Sequence, residues 1–184
     1  MSMIRRETGE TRVRVRLDPF AGAEGYKARI ATSDAFLDHM LTALAHYAGW
    51  GLEVEAEGDL RHHLIEDVAI TLGLALRDET PETCRRYGTA TVVMDDALVQ
   101  VALDVGGRFW YEGPVPGSLY EHFMRSLAEN ARMTLHVRVL RGRDKHHIIE
   151  AAFKALGLAL RDALAAGEAV FSTKGAVRIE REDD

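Results

Sequence analysis

From Thr11 to Leu17 the chain alternates: Val13, Val15 and Leu17 on one side, Arg12, Arg14 and Arg16 on the other. That period of two is the pattern of a half-buried strand. From Phe36 the spacing turns helical. Phe36 or Leu37, Met40, Leu41, Leu44 and Ala48 share one stripe, Ser33 or Asp34 can cap it, and Gly49 and Gly51 end it. Leu52, Val54 and Ala56 alternate with Glu53, Glu55 and Glu57, which predicts a second strand. After a turn at Gly58-Asp59, Ile65, Val68, Leu72 and Leu76 predict a second helix. The remainder repeats this order. Thr91 to Met94 and Leu98 to Val105 read as strands around a tight turn at Asp95-Asp96, Leu119 to Ala131 as a helix, and Leu135, Val137 and Val139 as a strand ending near Gly142. Ile149, Phe153, Leu156 and Leu160 mark the last helix. Asp18 to Thr32 and Gly106 to Gly117 read as loops.

The repetition extends to the residues themselves. HHLIE at 62–66 returns as HHIIE at 146–150, and LGLALRD at 72–78 returns as LGLALRD at 156–162, every member displaced by the same 84 positions. His39 in FLDHM and His122 in YEHFM match at 83. Such self-similarity predicts two copies of one structural unit. We divide the chain into half-repeats 1–90 and 91–184, together one α+β unit with mainly antiparallel sheets, each with helices on one face.

Both copies carry two adjacent histidines, a glutamate three residues on, and an earlier histidine. Neighbours on a helix project about 100° apart, so His62 and His63 face different ways, while Glu66 lies one turn along. One histidine and the glutamate can share an ion as the other histidine faces a second. Six imidazoles and two carboxylates suffice for two ions with three imidazoles and one carboxylate each, a donor set suited to Mn²⁺ and similar ions. A single HHxxE most often marks a solvated helix end; two in register, each with a matched upstream histidine, point to metal. His46 and His136 have no repeat partner and read as structural.

Composition narrows the alternatives. The chain has 184 residues, 47% hydrophobic and 28% charged, with a formal net charge of −6. That is globular composition without the basic balance of a nucleic-acid binder. The single cysteine, Cys84, suits a reducing compartment, and no stretch has the length and apolarity of a membrane span or signal segment. The expectation is a cytoplasmic protein with neither membrane nor nucleic-acid partners.

The motifs FLDHM, GDL followed by HHLIED, RRYG, LDVGGR, EHF, GRDKHHIIEAAFKALGLALRDA and FSTKG occur in this order. Through them the chain resembles the imidazoleglycerol-phosphate dehydratase family over nearly its whole length. The resemblance implies a ribosomal protein S5 domain 2-like fold: duplicated half-domains, each a four-stranded sheet with two helices on one face. It implies a hydro-lyase of histidine biosynthesis that converts imidazole-glycerol phosphate to imidazole-acetol phosphate, with two Mn²⁺ per active site binding the substrate as imidazolate. It implies trimers built into a 24-subunit homo-oligomer with sites between subunits. Carried over by motif, the metal ligands are His39, His62, His63, Glu66, His122, His146, His147 and Glu150. Glu10 of TGET is the candidate for proton transfer, with Glu150 as a second participant. Arg86, Arg108, Lys154, Ser172 and Lys174 match substrate-binding positions, mostly for the phosphate. The chain departs from the family pattern at Ala43, where a glutamine is common, at Leu60-Arg61 and Leu64, and at Asp144-Lys145. The alternatives are a non-catalytic metal-binding homologue, which would need neither Glu10 nor the phosphate set, and an RNA-binding protein of the same half-domain fold.

Overall fold

The computed structural model describes residues 1–22 and 27–167. Ser172 and Lys174 lie outside the described residues. The first half comprises β1 (Ser2–Glu7), β2 (Thr11–Asp18), β3 (Lys27–Ala31), α1 (Ala35–Ala48), β4 (Gly51–Gly58) and α2 (Arg61–Glu79). The second comprises β5 (Tyr87–Met94), β6 (Ala97–Asp104), β7 (Trp110–Glu112), α3 (Ser118–Asn130), β8 (Thr134–Arg141) and α4 (Lys145–Leu164). Each half forms one four-stranded sheet, in the orders β1-β2-β4-β3 and β5-β6-β8-β7. All pairings are antiparallel except β3 with β4 and β7 with β8.

The alternating residues behave as their pattern requires. Val13, Val15 and Leu17 are buried beneath the helices with Leu52, Val54 and Ala56. On the solvent face Arg14 and Arg16 pair with Glu55 and Glu53 across the strands at 3.3 and 3.6 Å. Asp34 caps α1 by accepting from the Leu37 amide at 2.9 Å, and Gly49 ends it at a φ of 72° that suits glycine. The β5–β6 hairpin turns at Asp95-Asp96, with Asp95 at a φ of 46°. Three strands fall where the sequence reads as loop or carries no clean alternation: β1, β3 and the three-residue β7. All three are edge strands.

The two halves join through their helices. α1 packs on α4 and α2 on α3, and the repeated glycines of LGLALRD set both crossings. A Cβ on Gly73 would stand 2.8 Å from the Leu127 oxygen and 3.1 Å from the Ala131 nitrogen. One on Gly157 would stand 2.7 Å from the Leu44 oxygen and 3.0 Å from the Ala48 nitrogen. The two neighbour sets are themselves related by the repeat, so a pseudo-two-fold axis relates the halves. Backbone cannot yield here as a flexible side chain can. Gly157→Ala is therefore expected to destabilise by about 1–3 kcal/mol, although alanine gains about 1 kcal/mol in helix propensity. Thermal melting against wild type, at matched metal loading, measures it; an unchanged or raised Tm would show that the crossing can relax.

Candidate metal centre

All four helices start at one end of the molecule. The Phe36 ring, in the first turn of α1, lies 5.1 Å from those of both Tyr120 of α3 and His146 of α4. Asp34 before α1 pairs with Arg61 at the start of α2. This end gathers the histidines, and it gathers them across the halves. His39 of α1 meets His146 and Glu150 of α4: Glu150 Oε2 lies 3.4 Å from His39 Nε2 and 3.2 Å from His146 Nε2. One donor atom of each lies within 4.8 Å of the others. The pseudo-two-fold mate combines His122 of α3 with His62 and Glu66 of α2, with Glu66 oxygens 3.3 Å from His122 Nε2 and 3.5 Å from His62 Nε2. Cis ligands of an octahedral ion, each about 2.1–2.2 Å from it, lie about 3 Å apart. The cluster of His39, His146 and Glu150 fits that geometry; in its mate Glu66 turns a different oxygen to each imidazole.

The second histidine of each pair points elsewhere. His63 Nδ1 lies 2.8 Å from Asp59 Oδ1 and 3.5 Å from Glu10 Oε2. His147 Nδ1 lies 2.7 Å from Asp96 Oδ1, and its Nε2 is 3.4 Å from Asp95 Oδ2. Hydrogen bonds that the imidazoles donate to Asp59 and Asp96 hold both rings above their ordinary proton affinity. His147 and two backbone N–H groups in turn lower Asp96 to about 2. A carboxylate on Nδ1 keeps the neutral ring's proton there and leaves the Nε2 lone pair for a ligand.

Glu150 is buried, which raises its proton affinity. The hydrogen bond and charge of Lys154, and then His39, outweigh burial and hold it below the usual carboxylate range. Lys154 Nζ sits 2.8 Å from Glu150 Oε1, leaving Oε2 to the histidines. The carboxylates just before His39 and His122 also have matched tasks. Asp38 accepts from the Thr32 amide at 2.9 Å, and Glu121 from the Val115 amide at 2.6 Å. Each ties the segment after a parallel edge strand to its histidine-bearing helix. Sequence reasoning passed over both, though they share the 83-residue displacement of the histidines they precede.

Two of the residues that depart from the family pattern, Arg61 and Asp144, have partners here. Arg61 pairs with Asp34, and Asp144 caps α4 by accepting from the His146 amide at 2.8 Å.

The arginines lie at the other end. The Arg86 amide donates to the Ala163 oxygen near the C-terminus of α4, and its guanidinium forks onto Asp104 at 3.0 and 3.1 Å. Arg108 is exposed, and its carbonyl accepts from Thr134 at the start of β8. A 19-residue helix such as α2 is about 28 Å long, so within one chain neither arginine reaches the histidines.

The model of the family described as imidazoleglycerol-phosphate dehydratase matches residues 32–160. The imidazoleglycerol-phosphate dehydratase of Pyrococcus furiosus is 45% identical over 94% of this chain and 99% of its own length. The chain belongs to the imidazoleglycerol-phosphate dehydratase family. Its members are hydro-lyases, and the Nautilia profundicola relative is 42% identical over 96% of this chain and 100% of its own. The crystal structure of the Pyrococcus furiosus family member superposes with a TM-score of 0.84 at 44% identity, covering 95% of this chain and all of that one. The Staphylococcus aureus structure gives 0.74 at 30% identity, covering 90% and 99%. The duplicated fold is thus that of the family. Among the described residues no helix is long and apolar enough to cross a membrane.

Proposed function

We propose that the protein dehydrates imidazole-glycerol phosphate to imidazole-acetol phosphate in histidine biosynthesis, as a cytoplasmic homo-oligomer of 24 chains built from trimers. The observation that carries this reading is the pair of matched clusters, His39/His146/Glu150 and His122/His62/Glu66, at one end of a fold with the family's duplication. Half-repeats 1–90 and 91–184 each give one histidine to the other's pair. Each cluster would hold one Mn²⁺, with its third imidazole supplied as His63 or His147 of a neighbouring chain.

When bound, Mn²⁺ supplies Lewis acidity toward the two ring nitrogens of the substrate, which favours the ring's anionic form. The hydrogen that leaves is not next to a carbonyl, so the ring serves as the electron sink. Electrons from the ring expel the side-chain hydroxyl, which takes a proton and leaves as water; a base then removes the proton of the neighbouring carbon, and the resulting enol is protonated at the ring-bearing carbon to give the ketone. Glu10 is exposed in a cleft of about 320 Å³ beside His63, and we assign the proton transfers to its carboxylate. Glu150, fixed by Lys154, orients the imidazoles and is the second participant. Arg86, Arg108, Ser172 and Lys174 hold the phosphate; Arg supplies a planar fork, Lys a point charge. Lys154 spends its charge on Glu150, so its contact with substrate would pass through that carboxylate.

The test is a dehydratase assay on chelator-stripped protein with and without added Mn²⁺. Activity is expected to vanish on stripping and return with Mn²⁺, at about two ions per chain. Full activity in stripped protein would overturn the reading.

The pH dependence follows from His63 and His147, whose folded proton affinity is raised above the ordinary value of 6.5. In stripped protein the pairs with Asp59 and Asp96 stabilise fully below the unfolded value and lose that effect as pH rises through the folded one. In loaded protein the metal excludes the Nε2 proton, so stability and metal content rise with pH over the same window. The two melting curves are expected to have opposite slopes there. Parallel slopes would remove His63 and His147 from the ligand set.

A further inference from the structure

We propose that Asp67 is a positioning residue that holds the Glu10 turn through a relay of two threonine hydroxyls. The inference rests on reading Glu10 as the proton-transferring group. Asp67 follows Glu66 on α2 and is 8% exposed. Its Oδ2 accepts from Arg6 Nη1 of β1 and from the hydroxyl of Thr11 of β2. Thr11 is 3% exposed.

The direction of the relay follows from hydrogen-bonding capacity. A carboxylate paired with Arg6 only accepts, so the Thr11 hydroxyl proton is committed to Asp67. The Thr8 and Thr11 hydroxyl oxygens are 3.1 Å apart, and with the Thr11 proton spent, Thr8 must be the donor. The Thr8 oxygen is left as an acceptor. It faces two backbone donors, the Glu10 amide at 3.1 Å and the Thr11 amide at 3.0 Å. The Glu10 carbonyl accepts from the Asp59 amide at 3.0 Å, and Asp59 holds His63. Both backbone polar groups of Glu10 are therefore engaged. One leads back to α2 through Thr8, Thr11 and Asp67, the other to the segment entering α2 through Asp59. The carboxylate of Glu10 is set beside His63 by groups that are not themselves candidate ligands.

The duplication sharpens the point. The second half repeats the metal-site residues but has Ala151, fully buried, where the first has Asp67. Its corresponding hairpin is the tight Asp95-Asp96 turn. Only the half that carries Glu10 carries the relay. A half-buried Arg6–Asp67 pair serving stability alone would not require the threonines to point their hydroxyls in this order.

The test uses the Mn²⁺-loaded full-length enzyme. Thr11→Val keeps the shape and removes the hydroxyl. It is expected to lower kcat by about 10–100-fold, the cost of a small misplacement of a reacting group, with KM and manganese per chain unchanged. Thr11→Ser restores the hydroxyl and is expected to recover most of the rate. Thr8→Val breaks the same relay at an exposed position and guards against a folding failure. Hydrogen exchange over residues 8–11 is expected to accelerate in both valine variants. The deciding comparison is Thr11→Val in a Glu10→Gln background, where no further loss of kcat is expected because there is no acid–base group left to position. An equal loss in both backgrounds, or a wild-type kcat with only a lowered Tm, overturns the proposal. A normal kcat in Glu10→Gln alone overturns the reading of Glu10 and the relay with it. A normal kcat in Thr11→Val and Thr8→Val beside a dead Glu10→Gln overturns the relay only.

Discussion

Glu10→Gln is expected to lower kcat by about 10²–10⁴-fold, the usual cost of losing a general acid–base group, while the enzyme keeps its metal, its assembly and its affinity for a substrate analogue. The amide keeps the size of the carboxylate but cannot exchange a proton. The turn should survive, because the Glu10 amide and carbonyl are held by Thr8 and Asp59 and not by its own side chain. His63 should keep its orientation too, since Asp59 at 2.8 Å holds its Nδ1 more closely than Glu10 at 3.5 Å. Neither proposed metal cluster includes Glu10. Metal per chain, analogue affinity and kcat measured on one preparation separate these quantities. A near-normal kcat would move the proton transfers to Glu150, whose Oε1 is already engaged by Lys154.

The interior strands β2, β4, β6 and β8 were legible because each buries one face, and burial imposes the strict alternation seen at Val13-Val15-Leu17. The strands β1, β3 and β7 were not. Each is paired on one side only and carries few buried apolar residues, β1 leaving Met3 61% exposed and β7 Trp110 57% exposed; β5, the remaining edge strand, was legible only over Thr91 to Met94 of its full range. The site divides in the same way. Side chains repeated at a fixed displacement announce themselves, so the histidines and glutamates could be found by comparing the chain with itself. Their grouping could not, because His39 serves the histidine pair of the opposite half. That follows from Gly73 and Gly157 letting α2 meet α3 and α4 meet α1, a tertiary fact without local signal. Asp67 was hidden for the converse reason: it belongs to one half only, so the repeat gave no clue.

The separation of Arg86 and Arg108 from the histidines yields the second large effect. If one substrate touches both ends of the fold, the ends must come from different chains, and two defective variants should repair each other. Glu10→Gln leaves the arginine end intact and disables the histidine end. Arg108→Glu does the reverse, replacing the proposed charge-assisted phosphate contact, a kind worth about 1.5–3 kcal/mol, with repulsion. Each alone is expected to be nearly inactive at low substrate. Co-expressed at equal amounts and co-assembled, they should form some sites with a native histidine end from one chain and a native arginine end from another. Random mixing would make up to about a quarter of the sites native, so activity should rise far above that of either parent. Sites built within one chain would instead give only the mean of two poor enzymes. Mixing the separately assembled variants without exchange of subunits serves as the baseline, since it brings no new pair of ends together.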